Sequence, residues 1–257
     1  MPQLAYSQEM SEAFAGLLTD SRFHEIESMI ALEAISFGFG VCASQANPTS
    51  SVKLPDTNNV VITDDAGTYT AGDIVATVNG TDVTESFDTD KNTTLTALAA
   101  SIAALATVST ATYVAGSHTI TVVAANDVDL TITVDVTGIT GDMTISSIVG
   151  TCTDLVRGLA VHSHIANNVL PTAGSSSFTS VAYQANDAVS VLRKGQLWVE
   201  VADAVVADSA VYLITAGANK GKLTDSSSSP NILVPSAVFR STTTAAGIAK
   251  VDINLPV

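Results

Sequence analysis

The sequence predicts a mainly β protein: a small β-barrel or sandwich core domain with an extended N-terminal arm and an inserted α+β module, an antiparallel sheet carrying one helix. Three observations predict it. The apolar residues are mostly Ala and Val with Thr as their commonest polar companion, a mixture that favours pleated sheet over helix. Short stretches alternate Ile, Val or Leu with Thr or Asp, the period of a half-buried strand. Acidic residues crowd one central stretch, 57–150, which holds eleven acids and a single basic residue, Lys91. The expected division is therefore 1–56 for the arm and first core strands, 57–150 for the inserted acidic module, and 151–257 for the rest of the core.

Along residues 1–36, Met, Phe and Leu are spread among acids, and Ile26, Met29, Ile30 and Glu33 follow a period near 3.6. Parts of this stretch could be helical, and an arm that orders against neighbours is equally compatible. Strands from Phe37 to Ala43 and from Ser51 to Leu54 are expected to belong to the core. In the module, Ile74 to Val78 runs into Asn79-Gly80, a strong hairpin dipeptide, and Thr81 to Phe87 leads back out. Asn92 or Thr93 can cap a helix whose apolar face is Leu95, Leu98, Ile102 and Leu105. Ser117 to Val123 and Leu130 to Val136 then alternate as strands, so one helix across a four- or five-stranded sheet is expected. Beyond residue 150, Asp187 to Leu192, a Lys194-Gly195 turn and Gln196 to Val201 read as a hairpin. Ala210 to Thr215, Ile232 to Arg240 and Gly247 to Leu255 continue the strands, with a Ser/Gly/Lys-rich loop from Gly217 to Pro230.

The formal charge is −15, from 25 acids against 10 Lys and Arg, and the pI is about 4.3. Phosphate backbones are bound by clustered Lys and Arg, and only Arg193-Lys194 and Lys220/Lys222 come close together, so nucleic acid is not an expected partner. A membrane is not expected either: the start lacks a secretory pattern and no apolar run approaches the ~18 residues that span a bilayer. Cys42 and Cys152 are expected to be buried thiols, with a bridge between them left open.

Catalytic, cofactor-binding and metal residues are expected to be absent. Neither a nucleotide-binding glycine fingerprint, a Gly-x-Ser-x-Gly elbow nor a His-Glu-x-x-His helix occurs. His162 and His164 would share a face on a strand, yet a metal needs a third and usually a fourth ligand. Asp88 to Asn92 imitates the opening of a calcium loop, but Thr93 stands where Gly is required and Ala99 where a bidentate Glu belongs. Asp64-Asp65-Ala66-Gly67 reads as a turn. Trp198, on the expected hairpin, reads as core or interface.

The stretches flanking the module resemble bacteriophage head cement, or decoration, proteins. The resemblance is carried by Tyr6, Glu27-Ser28 and Ile35-Ser36-Phe37-Gly38-Phe39-Gly40-Val41. It continues in Arg157-Gly158-Leu159-Ala160-Val161, in Tyr183-Gln184-Ala185-Asn186-Asp187 onward to Trp198-Val199, in Ala204 to Tyr212, and in Pro235-Ser236-Ala237-Val238-Phe239-Arg240. One departure is Ala207-Asp208-Ser209, where the pattern has a turn glycine. The module is similar to insert domains of phage decoration and fibre proteins, most clearly at Val78-Asn79-Gly80-Thr81. The resemblance implies a virion structural protein, without enzymatic activity, on the outer surface of the capsid. Its implied partners are the major capsid protein and itself, as a homo-oligomer, a trimer, with assembly in the host cytoplasm. The alternative is a head-fibre or tail adhesin whose module binds a host-surface glycan, for which the module offers only Tyr69, Phe87 and Tyr113. An enzyme such as a hydrolase is the further alternative.

Overall fold

The β-branched stretches form strands, interrupted by one α-helix, in the computed structural model, which describes residues 15–19, 23–162, 182–228 and 230–255. Before the acidic stretch come β1 (Glu25–Ala31), β2 (Ile35–Ser36), β3 (Gly40–Ala43) and β4 (Ser51–Lys53). Within it run β5 (Asn59–Asp64), β6 (Tyr69–Ala71), β7 (Asp73–Val78), β8 (Thr81–Ser86) and α1 (Lys91–Ala103). These are followed by β9 (Val108–Val114), β10 (Thr119–Ala124), β11 (Ile132–Asp135), β12 (Thr140–Gly141) and β13 (Ile145–Thr151). The chain then returns through β14 (Val156–Ala160), β15 (Ala182–Tyr183), β16 (Ala188–Val201), β17 (Ala210–Leu213), β18 (Leu223–Thr224), β19 (Ile232–Phe239) and β20 (Gly247–Asn254). The mainly β expectation holds.

Nine of the flanking strands form one sheet in the order β1-β4-β3-β14-β16-β18-β17-β19-β20, and further pairings of β16 with β1 and with β20 close it on itself twice. Strand β16 is common to both closed circuits. Met29, Ile35, Phe37, Val41, Tyr183 and Val191 make one core, and Leu197, Val211, Leu213, Val234, Phe239 and Val251 belong to the other. Closure leaves few open edges, which suits a strand-rich body that must stay soluble.

The hairpin expected at Lys194-Gly195 is instead a single 14-residue strand, β16. Its first part pairs with β1, Ile26 opposite Leu192, and its second with β20, Trp198 opposite Lys250. Gly195, at φ +130°, supplies the bend that carries β16 from one circuit to the other. A Cβ there would lie 2.4 Å from the His24 ring. The dipeptide that reads as a turn is therefore a kink inside a strand.

The helical reading near residue 30 is also corrected. Residues 25–31 are strand β1, with Met29 and Ala31 buried and Ile26 and Ile30 exposed, because pairing with β16 and β4 overrides the weak 3.6 period. Just upstream, Leu18 bridges Leu197, and Gly16 and Thr19 donate backbone hydrogen bonds to Trp198 and Gln196. Tyr6 and the rest of residues 1–14 lie outside the described residues, as do 20–22 and 163–181.

The acidic stretch has its own hydrophobic cluster, which joins Leu95, Leu98 and Ile102 of α1 to Val60, Ile62, Ile74 and Val122. The helix face is as expected, with Leu105 half-buried beside it, but the cap is Asp90, which accepts from Thr93 N. Instead of a single sheet, a four-stranded sheet β13-β5-β10-β9 and a three-stranded sheet β11-β7-β8 are present, with a small β12-β6 pair. Strands β9 and β13 escape sequence reading because Ser and Thr interrupt one and both faces of the other are largely open. Asn79 at φ 48° and Gly80 at φ 79° form the tight hairpin between β7 and β8.

Candidate functional site

Two features stand out from the strand framework: an apolar ridge along β1, and a buried ionic junction at the base of the acidic stretch.

Ile26 and Ile30 point outward from β1, 44% and 46% exposed, with Phe23 before them at 76% and Leu32 after them at 39%. A monomer in water does not expose such a run of large side chains without a partner to cover it. The strand that carries the ridge is fixed. Its other face buries Met29 and Ala31, and the Glu27 carboxylate takes a 2.7 Å hydrogen bond from the Arg157 guanidinium on β14. Arg193 of β16 stands 3.8 Å from the same carboxylate. The ridge is thus a rigid projection from the first closed circuit.

At the junction, the Lys53 ammonium is 2% exposed and contacts Asp56 at 2.5 Å, Asp154 at 3.1 Å and Asp127 at 3.6 Å. Lys220 bridges Asp56 and Asp129, each at 2.8 Å. Asp154 further accepts from the Asp56 backbone, Asn58 Nδ2 and Gln45 Nε2. Asp127 accepts from Ser44 Oγ and the Gln45 backbone. The Asp127 and Asp129 loop of the acidic stretch is in this way pinned to the strands that flank it. Burial alone would push the Lys53 ammonium down, but the hydrogen bond to Asp56 and the charges of Asp154 and Asp56 outweigh it and hold its pKa above the ordinary lysine value. A lysine kept protonated in this way is an ion-pair partner rather than a nucleophile. Sequence reading missed the junction because its members are scattered from Ser44 to Lys220, with no local motif to join them.

The residues weighed from sequence fall into structural roles. Cys42 and Cys152 are free, buried thiols, and burial pushes both up, Cys152 to about 12. His162 packs its ring on Phe37 at 4.6 Å, while His164 lies outside the described residues. Among the described residues no group of His, Cys, Asp and Glu is placed to hold a metal ion. Asp64 and Asp65 do make a turn, accepting from the Ala66 and Gly67 backbones. Trp198, half-buried on β16, lies under the Lys250 ammonium at 5.8 Å. Tyr69 is buried edge-on against the half-buried Phe87 at 5.0 Å, which removes Tyr69 from a glycan platform. Asp208 occupies the expected glycine turn at φ 65°, a conformation aspartate tolerates better than most side chains, and it accepts from Arg240.

The family described as "Structural cement protein (E217 gp24/Pam3 gp6)" matches residues 96–254. The matched span takes in the rest of α1 after its first turn, β9 to β13 and the strands from β14 to β20, and leaves out β1 to β8. A solved structure titled "The capsid of Myoviridae Phage XM1" aligns over 97% of this chain and 95% of its own, at 14% identity and a TM-score of 0.46. No curated protein matches. With more than half of its length matched by the family, this chain belongs to the phage structural cement proteins.

Proposed function

We propose that this chain binds the outer surface of a phage head through the β1 ridge and stabilises contacts between major capsid proteins, without catalysing a reaction. The observation that carries the reading is the exposure of Ile26 and Ile30 on a strand clamped by Glu27 and Arg157, with Phe23 and Leu32 exposed just before and after that strand. A cement must add buried area across a joint that internal pressure tends to open. A rigid apolar ridge does this with little loss of entropy on docking.

In this reading residues 57–150 are an inserted unit that points away from the shell. Its own hydrophobic cluster supports this, and so does the pairing of Asn59 with Thr151, which sets its two ends side by side. The N-terminal arm adds attachment on the shell side. Self-association as a trimer and assembly in the host cytoplasm complete the proposal.

The test replaces Ile26 and Ile30 together by Asp. Both side chains are exposed, so the melting temperature should hold. Binding to particles stripped of this protein should weaken at least tenfold, the scale at which interface anchors act. Stripped particles should also release DNA at lower temperature and recover on adding back the wild-type chain, to a fixed copy number per capsomer. Unchanged binding by the double variant would refute the ridge, and equal robustness of stripped particles would refute the cement role.

A further inference from the structure

We propose that the outer face of the β13-β5-β10-β9 sheet is a self-association surface, through which the acidic modules of two copies of this chain pack sheet against sheet. The proposal goes beyond the trimer proposed above, because a face that packs against its own copy joins chains in two-fold pairs, and its test needs no capsid.

The registers define the face. Across the middle row Val149, Val61, Thr121 and Thr112 stand side by side, and the rows above and below continue the same strands. The alternate residues of these strands, among them Val60, Ile62 and Val122, face the hydrophobic cluster inside. All outward positions of the three rows are Val, Thr, Ser or Asn, and none is charged. Val114, Val123 and Val149 are exposed on this face, and Val61 is half-buried. Among the described residues, the module's large exposed apolar side chains are these three and Ile148 on the edge strand β13 of the same sheet. Among the described residues, the ridge and this face hold seven of the twelve large exposed apolar side chains.

Charge selects the occupant. The module carries eleven acids against one lysine, so almost every approach of one copy to another is repelled. The neutral face is where two identical acidic modules can meet without opposing charge. A basic partner would instead be drawn to the acids and would leave these valines uncovered. The face carries no aromatic ring on which a sugar could stack. Short β-branched side chains also lose little freedom when covered. Three rows across four strands, at strand spacing of about 4.8 Å, give a face roughly 19 Å on a side. Two such faces bury on the order of 700 Å², below the range of standard stable interfaces. The contact should therefore be weak and reversible in free solution, and stronger between copies held side by side on one surface.

Sedimentation velocity on the full chain over a wide concentration range tests this, with wild type compared to a Val61→Glu/Val123→Glu double variant and to Thr112→Glu alone. Thr112 is exposed at an edge strand, so that variant keeps the test valid if the double variant does not fold. The wild type should grow reversibly with concentration, and each folded variant should need at least tenfold more protein to reach the same size. Added salt should strengthen the wild-type association, because it screens the acid repulsion around a neutral contact. A wild-type chain of constant size, variants that associate as the wild type does, or association that weakens with salt would each overturn the proposal. Loss of capsid binding in Ile26 and Ile30 variants bears only on the ridge.

Discussion

The acidic stretch and the body that carries it solve the same problem with different materials. The body closes its strands into two circuits around Leu, Phe, Tyr and Met side chains such as Leu197, Phe239, Tyr183 and Met29, so its backbone groups are satisfied mainly by strand pairing. The module has three smaller sheets and a cluster of Val, Ile, Ala and Leu, and it ties its turns with carboxylates. Seven of its eleven acids, Asp64, Asp65, Asp90, Asp127, Asp129, Asp135 and Asp142, accept hydrogen bonds from backbone N–H groups. Much of the negative charge that marks the module in sequence is thus structural. Aspartate caps turns at low cost in volume, and it adds solubility to a part with a modest core.

The two regions meet at Lys53, and removing that side chain should have the largest effect. Lys53→Met leaves Asp154 buried without its cation and Asp56 with Lys220 alone, and should cost about 3–5 kcal/mol, read as a drop in the denaturant midpoint of the whole chain. A small change would mean that water enters the junction freely. Next, Leu98→Ala empties a fully buried site in the module and should cost about 2–5 kcal/mol. The loss should appear as early melting of the module, with the Trp198 fluorescence of the body unchanged until higher temperature. A single cooperative transition would show instead that the junction fuses the two regions.

Acid should separate them further. Hydrogen bonds from Thr144 hold Asp65 at about 2, and Asp90, Asp135 and Asp142 are likewise held below the ordinary aspartate value by Thr93, Thr137 and Thr68. Asp127 also ends up low, since the hydrogen bonds from Ser44, Gln45 and Ala46 overcome its burial. Carboxylates with depressed values contribute fully above the unfolded value near 3.8, and that contribution fades as pH falls towards 2. In the body, burial pushes Glu33 the other way, so protonating that carboxyl does not cost the fold. Circular dichroism between pH 5 and 2 should show the module melting first. The smallest effect expected is for Asp90→Ala, which removes the cap of α1 and should lower the thermal midpoint of the module slightly.

The same contrast governs what could be read in the sequence. The Asn79-Gly80 hairpin and the Leu95, Leu98 and Ile102 face of α1 were legible because both are local patterns. The cap lies at Asp90, two or three residues before the Asn92 or Thr93 that the sequence suggests. Strand β16 was misread because a Lys-Gly pair marks a turn in most sequences, and only its pairing with both β1 and β20 shows a kink. The ridge was invisible for a related reason: Ile26 and Ile30 fit a helical period, and their exposure is decided by what covers the opposite face. The junction needed residues more than a hundred positions apart, such as Lys53 and Lys220, to be brought together by the fold.

Strand β16 has a mechanical consequence. It is a wall of both circuits, so a pull applied at β1 passes into β16 along a long ladder of hydrogen bonds before reaching the rest of the body. Because β1 lies antiparallel beside β16, a tug along the strand axis loads that ladder in shear, where many bonds must fail at once. A tug across it would open the bonds one at a time. A shell that swells under its contents pulls its fastenings sideways, along its own surface. Laid parallel to that surface, β1 would meet the strain in the direction in which this body yields least.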